Sequence, residues 1–180
     1  MAGTSERPGI FANRLLSGSQ WPVAVAPSAM RTRTQRELTR VGIAYIETPE
    51  SVAALQVAAR LARRVSAELS LYTVVADEAE VMPTFIGRDA EQAFWASARE
   101  SYQLNLDAAI AGLPTGQRAT GHVLTGDVVD VLGELDGDDV DVLFCGSRGY
   151  GPLRRILLGG VSSRLVRKAR SPVIVAPRGG

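Results

Sequence analysis

The sequence has little with which to build a metal centre or a nucleophilic triad. It holds one cysteine, Cys145, and one histidine, His122. A lone cysteine excludes a disulfide framework and a thiol metal cluster, and it favours a reducing compartment. His122 has no second His or Cys at metal-ligand spacing and is read as structural. One histidine and no nucleophile elbow leave no Ser-His-Asp or Cys-His set to propose. No apolar run reaches the ~20 residues that span a bilayer, and no apolar h-region follows the first residues. A cytoplasmic protein without membrane association is therefore expected. Neither sign of charge dominates: the formal net charge is +1, which gives no bulk attraction to nucleic acid. Gly149 and Gly151 do not complete a dinucleotide fingerprint, because Arg154 stands where the third glycine belongs, and there is no Gly-Lys-Ser or Gly-Lys-Thr phosphate loop.

What is present suits one domain with an appendage: 180 residues, 46% of them hydrophobic. The chain also carries a broken repeat. Residues 9–27 align without a gap on residues 159–177 at a constant offset of 150. Arg14, Leu15, Pro22, Val23, Val25, Ala26 and Pro27 are identical to Arg164, Leu165, Pro172, Val173, Val175, Ala176 and Pro177. A fixed offset marks duplicated units, and here the first copy keeps only its last helix and strand. Residues 1–27 are thus read as a remnant, residues 28–39 as a polar, basic linker with Arg31, Arg33 and Arg36, and residues 40–178 as the complete unit.

Within that unit, hydrophobic pattern predicts strands and helices in alternation. Residues 41–46 form a near-continuous apolar run, as buried parallel strands do. Thr48 suits a helix cap, Pro49 the first turn and Glu50 the positive end of the dipole. Val52, Leu55, Ala59, Ala62 and Val65 share one helical face. Residues 69–75 are the second strand and 77–88 a loop. A long helix follows, striped by Trp95, Ala98, Tyr102, Leu106, Ala109 and Leu113 and ended by Gly112-Leu113-Pro114. Residues 118–124 form the third strand, 127–135 a short helix with Val128, Val131, Leu132 and Leu135 inward, and 140–145 the fourth strand. A helix over 161–169 and a strand over 172–176 complete the set. Such alternation implies a doubly wound parallel sheet with helices on both faces and ligands at the carboxyl ends of strands.

The segment 146–160 is glycine-rich and leads from a buried strand to a helix start. Glycines let a ligand approach the backbone, and a helix N-terminus favours an anion. Gly160, Val161, Ser162 and Ser163 are candidate phosphate donors; Arg148, Arg154 and Arg155 are candidate counter-charges. The other reading is that the glycines serve turns and close helix packing, with the arginines solvated.

The spacing Gly146, Gly149 and Gly159 resembles the universal stress protein pattern Gly-x2-Gly-x9-Gly followed by Ser or Thr. The flanking residues 142–149 and 171–175 resemble that family too, and the resemblance covers residues 40–178. It implies a five-stranded parallel sheet of order 3-2-1-4-5 with helices on both faces. It also implies a stress-response regulator, no enzyme beyond slow ATP hydrolysis, with ATP or another adenine nucleotide as ligand and Mg²⁺ as its companion. By resemblance the site residues are Val74, Cys145, Gly146, Arg148, Gly149, Gly159, Gly160, Val161 and Ser162. Two positions depart from the pattern. The final Ser or Thr is Gly160, and the family's acidic residue at the first strand's end falls on Ile46. Glu47, one position on, faces the other way on a strand. These departures favour the alternative reading, a dimerisation or interaction module with a decayed pocket.

Cys145 is expected to be a packed residue that lines this pocket. The acidic residues Asp127, Asp130, Glu134, Asp136, Asp138 and Asp139 read as a solvated helix face and turn. Trp21 reads as a packing residue or an interface anchor. The resemblance makes a tandem ancestor plausible and implies a homodimer through the edge of the last strand. The orphan strand 22–26 is expected to lie antiparallel to 172–176, covering an edge that would otherwise invite aggregation, or to be exchanged between two chains.

Overall fold

The computed structural model describes residues 19–27, 30, 37–75, 88–147 and 160–177, with the side chains of 88–93 excepted. The elements are β1 (Val23–Val25), β2 (Arg40–Ala44), α1 (Pro49–Arg64), β3 (Glu68–Val75), α2 (Arg88–Ala111), β4 (Ala119–Thr125), α3 (Val128–Glu134), β5 (Val142–Gly146), α4 (Gly160–Lys168) and β6 (Val173–Ala176). The strands form one six-stranded sheet in the order β1-β6-β5-β2-β3-β4. All neighbours are parallel except β1, which runs antiparallel to β6. This is the expected doubly wound sheet plus one strand.

Two apolar layers sandwich the sheet, because successive strand residues point to opposite faces. Val41, Ile43, Leu69, Leu71, Val142 and Phe144 pack beneath α1 and against Leu106 of α2. Tyr72, Leu143, Cys145, Val173 and Val175 face Leu132 of α3 and Leu165 of α4.

Thr48 caps α1 and accepts a hydrogen bond from the Ser51 amide at 3.3 Å, with Pro49 in the first turn and Arg63 and Arg64 in the last. The buried line of α1 differs from the expected one. It runs through Ser51, Ala54, Leu55, Ala58, Ala59 and Ala62, while Val52 and Val65 are exposed. Small residues allow the helix to lie close on the sheet, so alanine rather than valine marks the inner face; Val65 is the C-cap and has left helical geometry.

On α2, Trp95 and Leu106 are buried as expected and Ala98 and Ala109 are half-buried, but Tyr102 is exposed; Leu113, just past the helix end, is half-buried. On α3 the buried residues are Val129, Leu132 and Gly133, with Val128, Val131 and Leu135 half-buried. The helix packs against α4 as well as the sheet, and this swings its inner line round. The Arg170 amide donates to the Gly133 carbonyl at 3.0 Å, and Lys168 pairs with Asp130. The acidic residues nearby have structural duties. Asp127 caps α3 through the amides of Val129 and Asp130, and Asp141 accepts from the amides of Thr39 and Arg40, both at 2.8 Å.

The orphan strand lies where it was expected. Val23 pairs with Val175, Ala24 with Ile174 and Val25 with Val173. The β6 edge expected to carry a homodimer is therefore covered by β1 of the same chain. Trp21, just before β1, is 78% exposed, so it is not a core residue. The remnant helix of the first repeat and the linker 28–36, apart from Met30, lie outside the described residues.

Candidate functional site

Strands β2 and β5 are neighbours at the centre of the sheet, with Val41 opposite Val142 and Ile43 opposite Phe144. From β2 the chain crosses to α1 on one face; from β5 it returns to α4 on the other. The carboxyl ends of two such strands leave a crevice between diverging connections. A cavity of about 340 Å³ occupies it, within the range of small-molecule sites. Its floor is Ala44, Tyr72, Val74 and Cys145, and Val128 and Leu132 of α3 form an apolar wall. Tyr45, Ile46, Thr48, Glu50 and Ser51 bound it from the β2–α1 turn. Gly146 and Ser147 bound it from the end of β5, and Val161 and Ser162 from the first turn of α4.

The turn after β2 is fixed by two bonds to β3. The Tyr45 amide donates to the Tyr72 carbonyl at 2.8 Å, and the buried Thr73 hydroxyl donates to the Tyr45 carbonyl at 2.7 Å. In a parallel ladder, alternate residues turn their amide and carbonyl to opposite neighbours. Tyr72 faces β2, whereas the Val75 carbonyl accepts from Gly126 on the β4 side at 2.9 Å. Val74 therefore turns its backbone edge towards the β2 side, past the last residue of that strand. The site thus joins a mostly apolar slot, one strand edge with a donor and an acceptor, and the positive end of α4.

Several of the residues singled out in the sequence meet here. Val74, Cys145, Gly146, Val161 and Ser162 all line the cavity. Cys145 is buried in the floor, and burial pushes its thiol up to about 12, so it stays protonated at neutral pH. Gly146 serves packing as well: a Cβ there would sit 2.8 Å from the Glu50 carbonyl oxygen, so glycine is required where α1 begins. Gly160 opens α4 with nothing within 4 Å of a would-be Cβ. Its carbonyl accepts from the Ser163 hydroxyl at 3.2 Å and from Arg164 at 3.3 Å. Gly160 and Ser163 stand outside the lining. Arg148, Gly149, Arg154, Arg155 and Gly159 lie outside the described residues.

Ile46 lines the mouth and is 51% exposed, while Glu47 is exposed and outside the lining. Because β2 ends at Ala44, strand alternation no longer governs these two residues. Glu47 acts instead on Tyr45, whose hydroxyl is raised above its ordinary range by burial and then by that carboxylate. His122 stacks on Tyr72 with ring centroids 5.1 Å apart, a structural role. The lining residues missed from sequence are Ala44, Tyr45, Thr48, Glu50, Ser51, Tyr72, Val128, Leu132 and Ser147. Ser147 lies just past the end of β5, beyond the reach of the strand pattern.

Residues 37–177 match the family model for the Universal stress protein family. A curated universal stress protein of Mycobacterium tuberculosis is 30% identical over 174 residues, covering 94% of this chain and 58% of the relative. The chain thus spans little more than half the length of that relative. Among solved structures, a protein of the same family from Burkholderia pseudomallei superposes with a TM-score of 0.62 at 21% identity, over 80% of this chain and 99% of that one. A universal stress protein in complex with cAMP superposes with a TM-score of 0.53 at 19% identity, over 80% of this chain and 100% of that one.

Proposed function

This chain belongs to the universal stress protein family, and from that premise we propose that it is a cytoplasmic regulatory protein that binds ATP or a related adenine nucleotide. The observation that carries the reading is the open cavity at the ends of β2 and β5. It has an apolar slot for a flat ring, the Val74 edge at one side and the start of α4 at the other. Adenine presents one donor beside one acceptor on its pairing edge, which a backbone carbonyl and amide can meet. The phosphates would run towards α4, where the helix dipole favours negative charge. Mg²⁺ would accompany them. The cAMP complex of a structural neighbour supports an adenine nucleotide as the ligand class. The protein would act by binding rather than by catalysis.

Ile46 favours a second reading, in which the pocket has decayed and association is the function. An isoleucine at the mouth offers a ligand no hydrogen bond. The internal repeat and the strand β1 support descent from a tandem protein. A homodimer would then form by exchange of β1 or along the outer edge of β1.

Calorimetric titration of the full chain with ATP and Mg²⁺, with mass spectrometry of any co-purifying ligand, separates the readings. Saturable binding of an adenine nucleotide is the expected result. No heat and no ligand, with a stable dimer present, would leave the second.

A further inference from the structure

Among the described residues, one buried side-chain hydroxyl at the cavity has no partner. Ser147 lines the cavity and is 1% exposed, and its buried hydroxyl has no hydrogen-bond partner among the described residues. Other buried hydroxyls of the sheet are satisfied. Thr73 donates to the Tyr45 carbonyl at 2.7 Å, and Ser171 donates to the carbonyls of Leu135 and Val140 at 2.9 and 3.2 Å. Buried polar groups without partners are rare and disfavour the folded state unless something else meets them. Ser147 is also held firmly, since its amide donates to the Ala176 carbonyl at 2.9 Å. Its backbone is thus fixed beside the cavity by the β5–β6 pair.

Its position identifies what it would meet. Ser147 lies just past the end of β5, two residues after Cys145, and both line the cavity. Val161 and Ser162, at the start of α4, line the same cavity. A ligand with its ring over Cys145 and its phosphates at α4 places the linking group beside Ser147. In a nucleotide that group is the sugar. A serine hydroxyl both donates and accepts, which matches a ribose hydroxyl.

Resting on the nucleotide reading above, we infer that Ser147 is the sugar-recognising residue of this site, its hydroxyl hydrogen-bonded to a ribose hydroxyl of the bound nucleotide. It is a specificity residue: it distinguishes ribonucleotides from their deoxy forms. Because the hydroxyl has no partner among the described residues, its removal is expected not to weaken the fold.

The test is calorimetric titration of the full chain with ATP, 2′-deoxy-ATP and 3′-deoxy-ATP, each with Mg²⁺, for the native protein and Ser147→Ala. The native protein is expected to prefer ATP over one deoxy form by roughly tenfold, the worth of one hydrogen bond. Ser147→Ala is expected to lose that factor for ATP alone, so that the preference vanishes, while its melting temperature without nucleotide stays the same or rises. Ser147→Cys, similar in size but a weak donor, is expected to follow Ser147→Ala. A preference that survives in both variants overturns the inference. So does an equal loss for all three nucleotides together with a lower melting temperature, since that marks a structural serine. If the native protein binds none of the three, the nucleotide reading falls and takes this inference with it. If it binds and the variants are unaltered, only the inference falls.

Discussion

Ala24 faces Ile174 across the β1–β6 ladder, and the same two residues are counterparts in the internal repeat of the sequence. On either side of them Val23 meets Val175 and Val25 meets Val173, so each strand meets its counterpart end for end. The register has the local twofold symmetry of an isologous contact, in which one surface meets a copy of itself. β1 thus occupies the place that a second β6 would take.

Removal of residues 1–30 is expected to uncover β6 and convert the chain to a dimer or a less soluble species, because an unpaired apolar edge recruits another strand. Size-exclusion chromatography with light scattering reads the change. A monomer that elutes and behaves as the parent does would count against the capping role.

Two glycines of the same loop should answer oppositely to substitution. Gly146→Ala forces a methyl group to within 2.8 Å of the Glu50 carbonyl oxygen, and a loss of about 1–3 kcal/mol is expected from such overpacking. Gly160→Ser has open space around it, so stability should change by no more than about 0.5 kcal/mol. Its new hydroxyl is expected to tighten nucleotide binding several-fold. Urea melts and calorimetry check the pair.

Ile46→Asp restores a hydrogen-bonding group at the mouth of the cavity. Because Ile46 is half exposed, the fold should tolerate the change, and affinity for an adenine nucleotide should rise by roughly tenfold, the worth of one good hydrogen bond. Unchanged affinity would place the ring elsewhere.

Stability at alkaline pH should carry the mark of Cys145. Its thiol is raised from 9.0 to about 12 by burial, so between those values the unfolded chain loses a proton that the folded one keeps. The native state then weakens as pH rises above 9, by at most about 1.4 kcal/mol per pH unit. The contribution is fully present below pH 9, and Cys145→Ala should flatten that part of the profile in denaturant titrations. The thiol should likewise resist alkylation until the protein unfolds. Rapid alkylation of the native protein would contradict this.

The sheet was readable because buried parallel strands and capped helices leave strong local marks, such as the apolar run before Thr48 and the cap itself. Even the antiparallel orphan strand followed from the repeat. The inner faces of α1 and α3 were less legible. Ala54 and Ala58 are buried against the sheet and Gly133 lies under the Lys168 side chain, and small residues carry little hydrophobic signal. In the site, Gly146 was read for its freedom of approach to a ligand, whereas its neighbour is the backbone of Glu50. Ser147 gave no sign by composition; only its lack of a partner in the folded chain distinguishes it from Ser171.

The contact at Gly146 also limits how the cavity can adapt. With the Glu50 backbone too close to admit even a methyl group, the α1 side is packed directly on the end of β5. Ligands of different girth must then be accommodated by α3 and α4, which hold each other through Gly133, Asp130 and Lys168. Any message that a bound molecule sends outward would leave by that pair of helices, on the face of the sheet away from α1.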